Sequence, residues 1–269
     1  LGGESLCGSL SGSHNFAVGY RSLRTNWGGD RNNAIGYGAM ESNTTGCYNN
    51  AIGFYALNKN TTGGLNTGIG SQALRCNTTG CNNNAIGDSA LFSNISGGNN
   101  NAIGPNALKC NTTGCMNTAI GTNALCNNTT GCYNNAIGET ALNNNTTGNY
   151  NNAIGRQALY SNTTGVNNTA IGYQALNTSL SGNYNFAAGQ CALYSNWGGC
   201  YNTAIGQNSL KCNTTGCGNI AIGQTYGGAL CKNTTGYNNV AFGGLAENTT
   251  GYGNFAAGGA LSKNTEGYY

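Results

Sequence analysis

The sequence predicts an all-β protein: a β-solenoid (parallel β-helix or β-roll) of about 16 rungs, one per copy of a 17-residue repeat. Three observations carry this reading. First, Ala-Ile-Gly or a close variant starts at Ala17, Ala34, Ala51, Gly68, Ala85, Ala102, Ala119, Ala136, Ala153, Ala170, Ala187, Ala204 and Ala221, always 17 residues apart, and again at Ala241 and Ala256 after steps of 20 and 15. Second, Asn stands two residues before the triplet in all fifteen copies, from Asn15 to Asn254. Third, two glycines and a leucine return at the same phase, so a core is specified despite a composition that would otherwise suggest disorder.

The unit reads Ala-Ile-Gly-x-x-Ala-Leu-x-x-Asn-Thr-Thr-Gly-x-x-Asn-x, with positions 1 to 17 counted from the first Ala. A short strand is expected over positions 16 to 2, and a second apolar segment at 6 and 7. Ile at 2 and Leu at 7 (Met40 is the clear exception) are expected to point into a narrow core, with Ala at 1 and 6 keeping the wall thin. Gly at 3 and 13 suits corners that need a positive φ or a close backbone approach. Asn at 16 suits a ladder in which each side-chain amide bonds to the next copy. One unit cannot close a core, but stacked units can, giving a rod roughly 75 Å long at ~4.8 Å per rung. Repeated Gly and Asn argue against a helical repeat. A slower period overlies the fast one: Ser9-Leu10-Ser11-Gly12 and Asn26-Trp27-Gly28-Gly29 return 170 residues later, as Ser179-Leu180-Ser181-Gly182 and Asn196-Trp197-Gly198-Gly199.

The unbroken repeat reads as one domain over residues 1–269. Charged residues are 6% of the chain, against ~25% in ordinary soluble domains. The net charge of +3 is scattered, with no basic stripe for nucleic acid and no polybasic segment for a membrane surface. No apolar run approaches the ~20 residues of a membrane span, so neither nucleic acid nor membrane insertion is expected. The chain starts at Leu1 with no signal-peptide pattern, which reads as a mature or excised segment.

Thirteen cysteines point to an oxidising, extracellular or cell-surface setting. Five pairs lie around the Thr-Thr-Gly corner or its equivalent: Cys76 with Cys81, Cys110 with Cys115, Cys126 with Cys132, Cys191 with Cys200, and Cys212 with Cys217. Disulfides there would clip the turns shut, each contributing roughly 2 kcal/mol in the chain-entropy picture. Cys115 and Cys132 also share position 14 on adjacent rungs, so bridging between rungs is open as well. Cys7, Cys47 and Cys231 are left over. The spacing does not suit a metal site and His14 is the single histidine, so no metal or other cofactor is expected.

Position 10 begins an Asn-x-Ser/Thr acceptor at Asn43, Asn60, Asn77, Asn94, Asn111, Asn128, Asn145, Asn162, Asn213, Asn233 and Asn248, which predicts N-linked glycans on a surface loop. The competing reading is turn chemistry, which favours Asn, Thr and Gly in the same places.

No catalytic constellation is visible. The seven acidic residues (Glu4, Asp30, Glu41, Asp88, Glu139, Glu247 and Glu266) do not pair in phase, and one histidine supports no nucleophile–base arrangement. Stacking could gather Arg21, Arg24 and Arg31, which reads as a solvated cluster.

Stretches such as Asn168-Thr169-Ala170-Ile171-Gly172-Tyr173-Gln174-Ala175-Leu176 resemble the repeats of bacterial and phage tail-fibre proteins. They are also similar to the head repeats of trimeric autotransporter adhesins, and the sequon density resembles that of a glycosylated extracellular fibril. The resemblance implies a left-handed parallel β-roll in a fibre. The expected function is a structural subunit of an extracellular filament, made by head-to-tail stacking of the chain on copies of itself. The register at the two ends and the like phase of Cys7 and Cys231 suggest that assembly. A receptor-binding tail-fibre or adhesin segment is the alternative. Ice binding by the recurring Thr-Thr is a lesser one, because Thr there is bracketed by Asn and Gly in a corner.

Overall fold

The computed structural model describes residues 2–8, 11–223, 228–243, 247–258 and 263–264, and these contain no helix. The chain divides into two compact units, residues 1–133 and 134–269. The first holds seven three-residue strands: β1 (Phe16–Val18), β2 (Asn33–Ile35), β3 (Asn50–Ile52), β4 (Thr67–Ile69), β5 (Asn84–Ile86), β6 (Asn101–Ile103) and β7 (Thr118–Ile120). The second holds β8 (Asn135–Ile137), β9 (Asn152–Ile154), β10 (Thr169–Ile171), β11 (Phe186–Ala188), β12 (Thr203–Ile205), β13 (Ile220–Ile222), β14 (Val240–Phe242), β15 (Glu247–Asn248), β16 (Phe255–Ala257) and β17 (Lys263–Asn264).

Each unit is a parallel β-solenoid. Neighbouring strands pair in register one repeat apart, as in Ala34 with Ala51 and Ile35 with Ile52. The register survives the irregular steps, because Ala221 pairs with Ala241 and Ala241 with Ala256. The extra and missing residues are therefore absorbed outside the strand. The two-residue β15 and β17 pair with each other. The second apolar segment is a turn rather than a strand, yet its amides still reach the next rung, with Leu57 N donating to Ala73 O at 2.9 Å.

The core is made by position 1, position 6 and position 7. Ala51, Ala56 and Leu57 are fully buried, and their counterparts among the described residues are buried too. Position 2 is a correction to the sequence reading: Ile52 is 41% exposed, and Ile35, Ile69, Ile86 and Ile103 point outward with it. The reason is strand alternation. Asn at 16 is drawn inside by its ladder, so 17 faces out, 1 faces in and 2 faces out. The interior then has room for one large side chain per rung, and the leucine at 7 fills it.

That leucine carries strain. Leu57 has φ 50°, in the left-handed region that branched side chains avoid. The conformation costs ~1–2 kcal/mol, and full burial of the side chain contributes ~1.5–3 kcal/mol, so burial offsets it.

The two recurrent glycines have different reasons. Gly36, at position 3, has φ +134° and a Cβ there would lie 2.4 Å from Gly53 O of the next rung. Gly46, at position 13, has an ordinary φ, but a Cβ would lie 2.3 Å from Gly63 O and 2.7 Å from Asn60 Nδ2. The second corner is closed by the approach of the next rung rather than by backbone conformation.

Candidate functional site

Two asparagine ladders hold the rungs together. At position 16, Asn49 Nδ2 donates backward to Asn32 Oδ1 at 3.1 Å and forward to Gly63 O at 2.9 Å, while Asn49 N donates to the same Asn32 Oδ1 at 3.0 Å. At position 10, Asn60 Nδ2 donates to Asn43 Oδ1 at 2.8 Å and to Gly63 O of its own rung at 2.9 Å. Both ladders therefore converge on the carbonyl of the position-13 glycine. The position-16 ladder is the one the sequence predicts.

The position-10 ladder revises the sequon reading. Asn43, Asn60, Asn77, Asn94, Asn111, Asn128, Asn145, Asn162, Asn213, Asn233 and Asn248 are all 0% exposed. An N-linked sugar would replace a proton on Nδ2. In Asn77, Asn94 and Asn111, as in Asn60, Nδ2 directs its protons at the preceding Asn Oδ1 and at the Gly carbonyl. The folded geometry leaves no exit for a glycan at these sites. Asn-Thr-Thr-Gly is here turn and ladder chemistry. Thr at 11 joins it, with Thr44 Oγ1 donating to Thr61 O at 2.9 Å, and Thr at 12, such as Thr45, is exposed.

The five expected turn clips are not made. Cys76, Cys81, Cys110, Cys115, Cys126, Cys191, Cys200, Cys212 and Cys217 are thiols, which leaves Cys132 without the Cys126 bridge expected for it. Sulfurs at position 14 lie along the stack instead of across the turn. Cys47 Sγ accepts from Asp30 N of the preceding rung at 3.3 Å and donates to Thr45 O at 3.3 Å. Cys81 repeats both contacts, with Gly64 N and Thr79 O. Leftover Cys7 and Cys47 are thiols as well.

The outer surface carries the remaining chemistry. Arg21 pairs with Glu4 at 2.8 Å and Arg24 with Glu41 at 3.4 Å. The hydrogen bond from Arg21 chiefly holds the Glu4 carboxyl below its ordinary range. Arg31 is not part of this group: it donates to the Tyr48 hydroxyl and lies over that ring. Asp30 is likewise lowered, by the Ser13 backbone amide at 2.6 Å and then by the Ser13 hydroxyl. Tyr20, Tyr37 and Phe54 follow one another on three successive rungs, with centroids 5.3 and 5.6 Å apart, and all three are exposed. The outer sheet face pairs Asn or Thr at 17 with Ile at 2, and Asn33 Nδ2 donates to Asn50 Oδ1 at 2.8 Å.

The burial of position 10 and the outward row of isoleucines depart from the expectations drawn from the sequence. A signal for the second was present in the strand alternation that Asn at 16 imposes. No protein-family model and no curated protein matches this chain.

Proposed function

We propose that the chain is a structural subunit of an extracellular filament, in which a rung of one copy stacks on a rung of the next. The observation that carries this reading is the ladder repeat. Asn49 takes a carbonyl oxygen from Asn32 on one side and presents its own to Asn66 on the other, where Asn66 N lies at 2.9 Å. Each rung thus offers on one face the complement of the donors and acceptors it offers on the opposite face, at the same places. A rung from a second copy brings the same groups at the same spacing. Such a contact is heterologous and does not close, so it propagates. The 6% charged composition puts little repulsion between stacked copies. The resemblance to fibre repeats supports the extracellular placement.

A second reading, a receptor-binding fibre or adhesin segment, is favoured by the exposed row Tyr20, Tyr37 and Phe54. Aromatic rings standing in water are a common feature of recognition surfaces. Electron microscopy of the purified chain tests the filament reading. Continuous filaments many subunits long are expected; separate single subunits at all concentrations refute it.

A further inference from the structure

Cysteine occupies position 14 on two pairs of neighbouring rungs: Cys115 with Cys132 in the first unit, and Cys200 with Cys217 in the second. We propose that this position is a modification site at which adjacent rungs become joined by disulfides, Cys115 to Cys132 and Cys200 to Cys217. Cys115 Sγ and Cys132 Sγ lie 2.9 Å apart. The amide of Cys115 points at Cys132 Sγ at 3.1 Å, and that of Cys200 points at Cys217 Sγ at 3.1 Å, so both pairs share one arrangement. In-register parallel rungs set equivalent Cα atoms ~4.8 Å apart, inside the ~4.4–6.8 Å range of disulfides. Equivalent positions also send their Cβ atoms out in the same direction. The sulfurs are half-buried, so a small oxidant reaches them.

The same rule says which cysteines stay reduced. Cys47 and Cys81 share position 14, but Gly64 lies between them and Gly98 follows. Two rungs place the Cα atoms of Cys47 and Cys81 ~9.6 Å apart, beyond disulfide reach.

The oxidant is a low-molecular-weight disulfide such as oxidised glutathione. The Cys132 thiolate attacks one of its sulfurs, forming a mixed disulfide and releasing one glutathione thiolate. Cys115 then loses its proton and attacks Cys132 Sγ, forming the rung-to-rung bond and releasing the second glutathione. Two protein thiols are oxidised, one external disulfide is reduced, and the two protons pass to the two released glutathione thiolates. The hydrogen bond between the thiols, then burial, pushes the Cys115 thiol up to about 11, which assigns it the second, intramolecular step.

Peptide mapping tests the proposal. The full chain is treated with oxidised glutathione, alkylated, cleaved without reduction and sequenced by fragmentation. The expected products link Cys115 to Cys132 and Cys200 to Cys217, each lighter by two hydrogens, with Cys47 and Cys81 alkylated. Cys132→Ser should abolish the first link and Cys126→Ser should leave it intact. Alkylated Cys115 and Cys132 after oxidation, or a Cys110–Cys115 link, would overturn the proposal.

Discussion

Asn162 and Ser179 occupy position 10 on neighbouring rungs, and the hydrogen bond that joins Asn145 to Asn162 one rung earlier at 2.8 Å has no counterpart between them. Asn162 Oδ1 and Ser179 Oγ are both buried without a partner. The serine hydroxyl is too short to span one rung. The ladder is thus broken at the one described rung where position 10 is serine.

Ser179→Asn should repair it. The new Nδ2 would donate to Asn162 Oδ1 and Gly182 O, as its counterparts do. At ~0.5–1.5 kcal/mol per net hydrogen bond, a gain of about 1–3 kcal/mol is expected in chemical denaturation. A loss of stability would contradict the ladder description.

Gly68 and Gly63 should respond with opposite signs. Gly68 sits at position 1, where the other rungs carry a buried Ala. A Cβ there meets Ala73 O at 3.2 Å and Leu57 Cγ at 3.4 Å, and the alanine rungs accommodate that fit. Gly68→Ala should stabilise by about 0.4–1 kcal/mol. Gly63→Ala puts a methyl 2.4 Å from Gly80 O and 2.6 Å from Asn60 Oδ1. It should cost more than about 2 kcal/mol, because both ladders hold those atoms in place. Equal denaturation midpoints for the two variants would count against the corner geometry.

The direction of the strand face separates Ile52 from Leu57. Ile52→Thr changes an outward side chain and should alter stability by less than about 0.5 kcal/mol. Leu57→Ala empties the core and should cost about 2–5 kcal/mol. A large loss at Ile52 with tolerance at Leu57 would reverse the inside and outside assigned to the rung.

These residues also show what was legible in the sequence. The period, the Asn49 ladder, the glycine corners and the buried Leu57 all follow from local chemistry repeated at one phase. The outward Ile52 did not, because an apolar residue was read by its type rather than by its place two residues after an inward Ala. The burial of Asn60 was hidden for another reason. Asn-Thr-Thr-Gly suits a turn, a sequon and a ladder equally, and only stacking puts Nδ2 between Asn43 and Gly63. The cysteines differ in the same way: spacing along the chain suggests a clip from Cys76 to Cys81, whereas Cys81 Sγ follows the stack and accepts from Gly64 N.

Asp30 supplies a pH signature. Hydrogen bonds from Ser13 stabilise its carboxylate, so its folded value lies below the ordinary aspartate value of ~3.9. A depressed value contributes stability above the unfolded value, and that contribution is lost as pH falls through the folded one. Carbon-detected NMR should place the Asp30 midpoint below that of an unstructured aspartate, and Ser13→Ala should move it upward by removing the hydroxyl bond while the backbone amide bond stays. An Asp30 midpoint at the ordinary value would remove the Ser13 contact from the account.

The most direct measurement of the central claim, that buried asparagine amides tie rung to rung, is hydrogen exchange at the side-chain Nδ2 protons by NMR. Position-10 and position-16 asparagines such as Asn60 and Asn49 should exchange slowly, on the timescale of their neighbouring backbone amides, while exposed Asn82 exchanges fast. Fast exchange at Asn60 and Asn49, equal to that of Asn82, would contradict it.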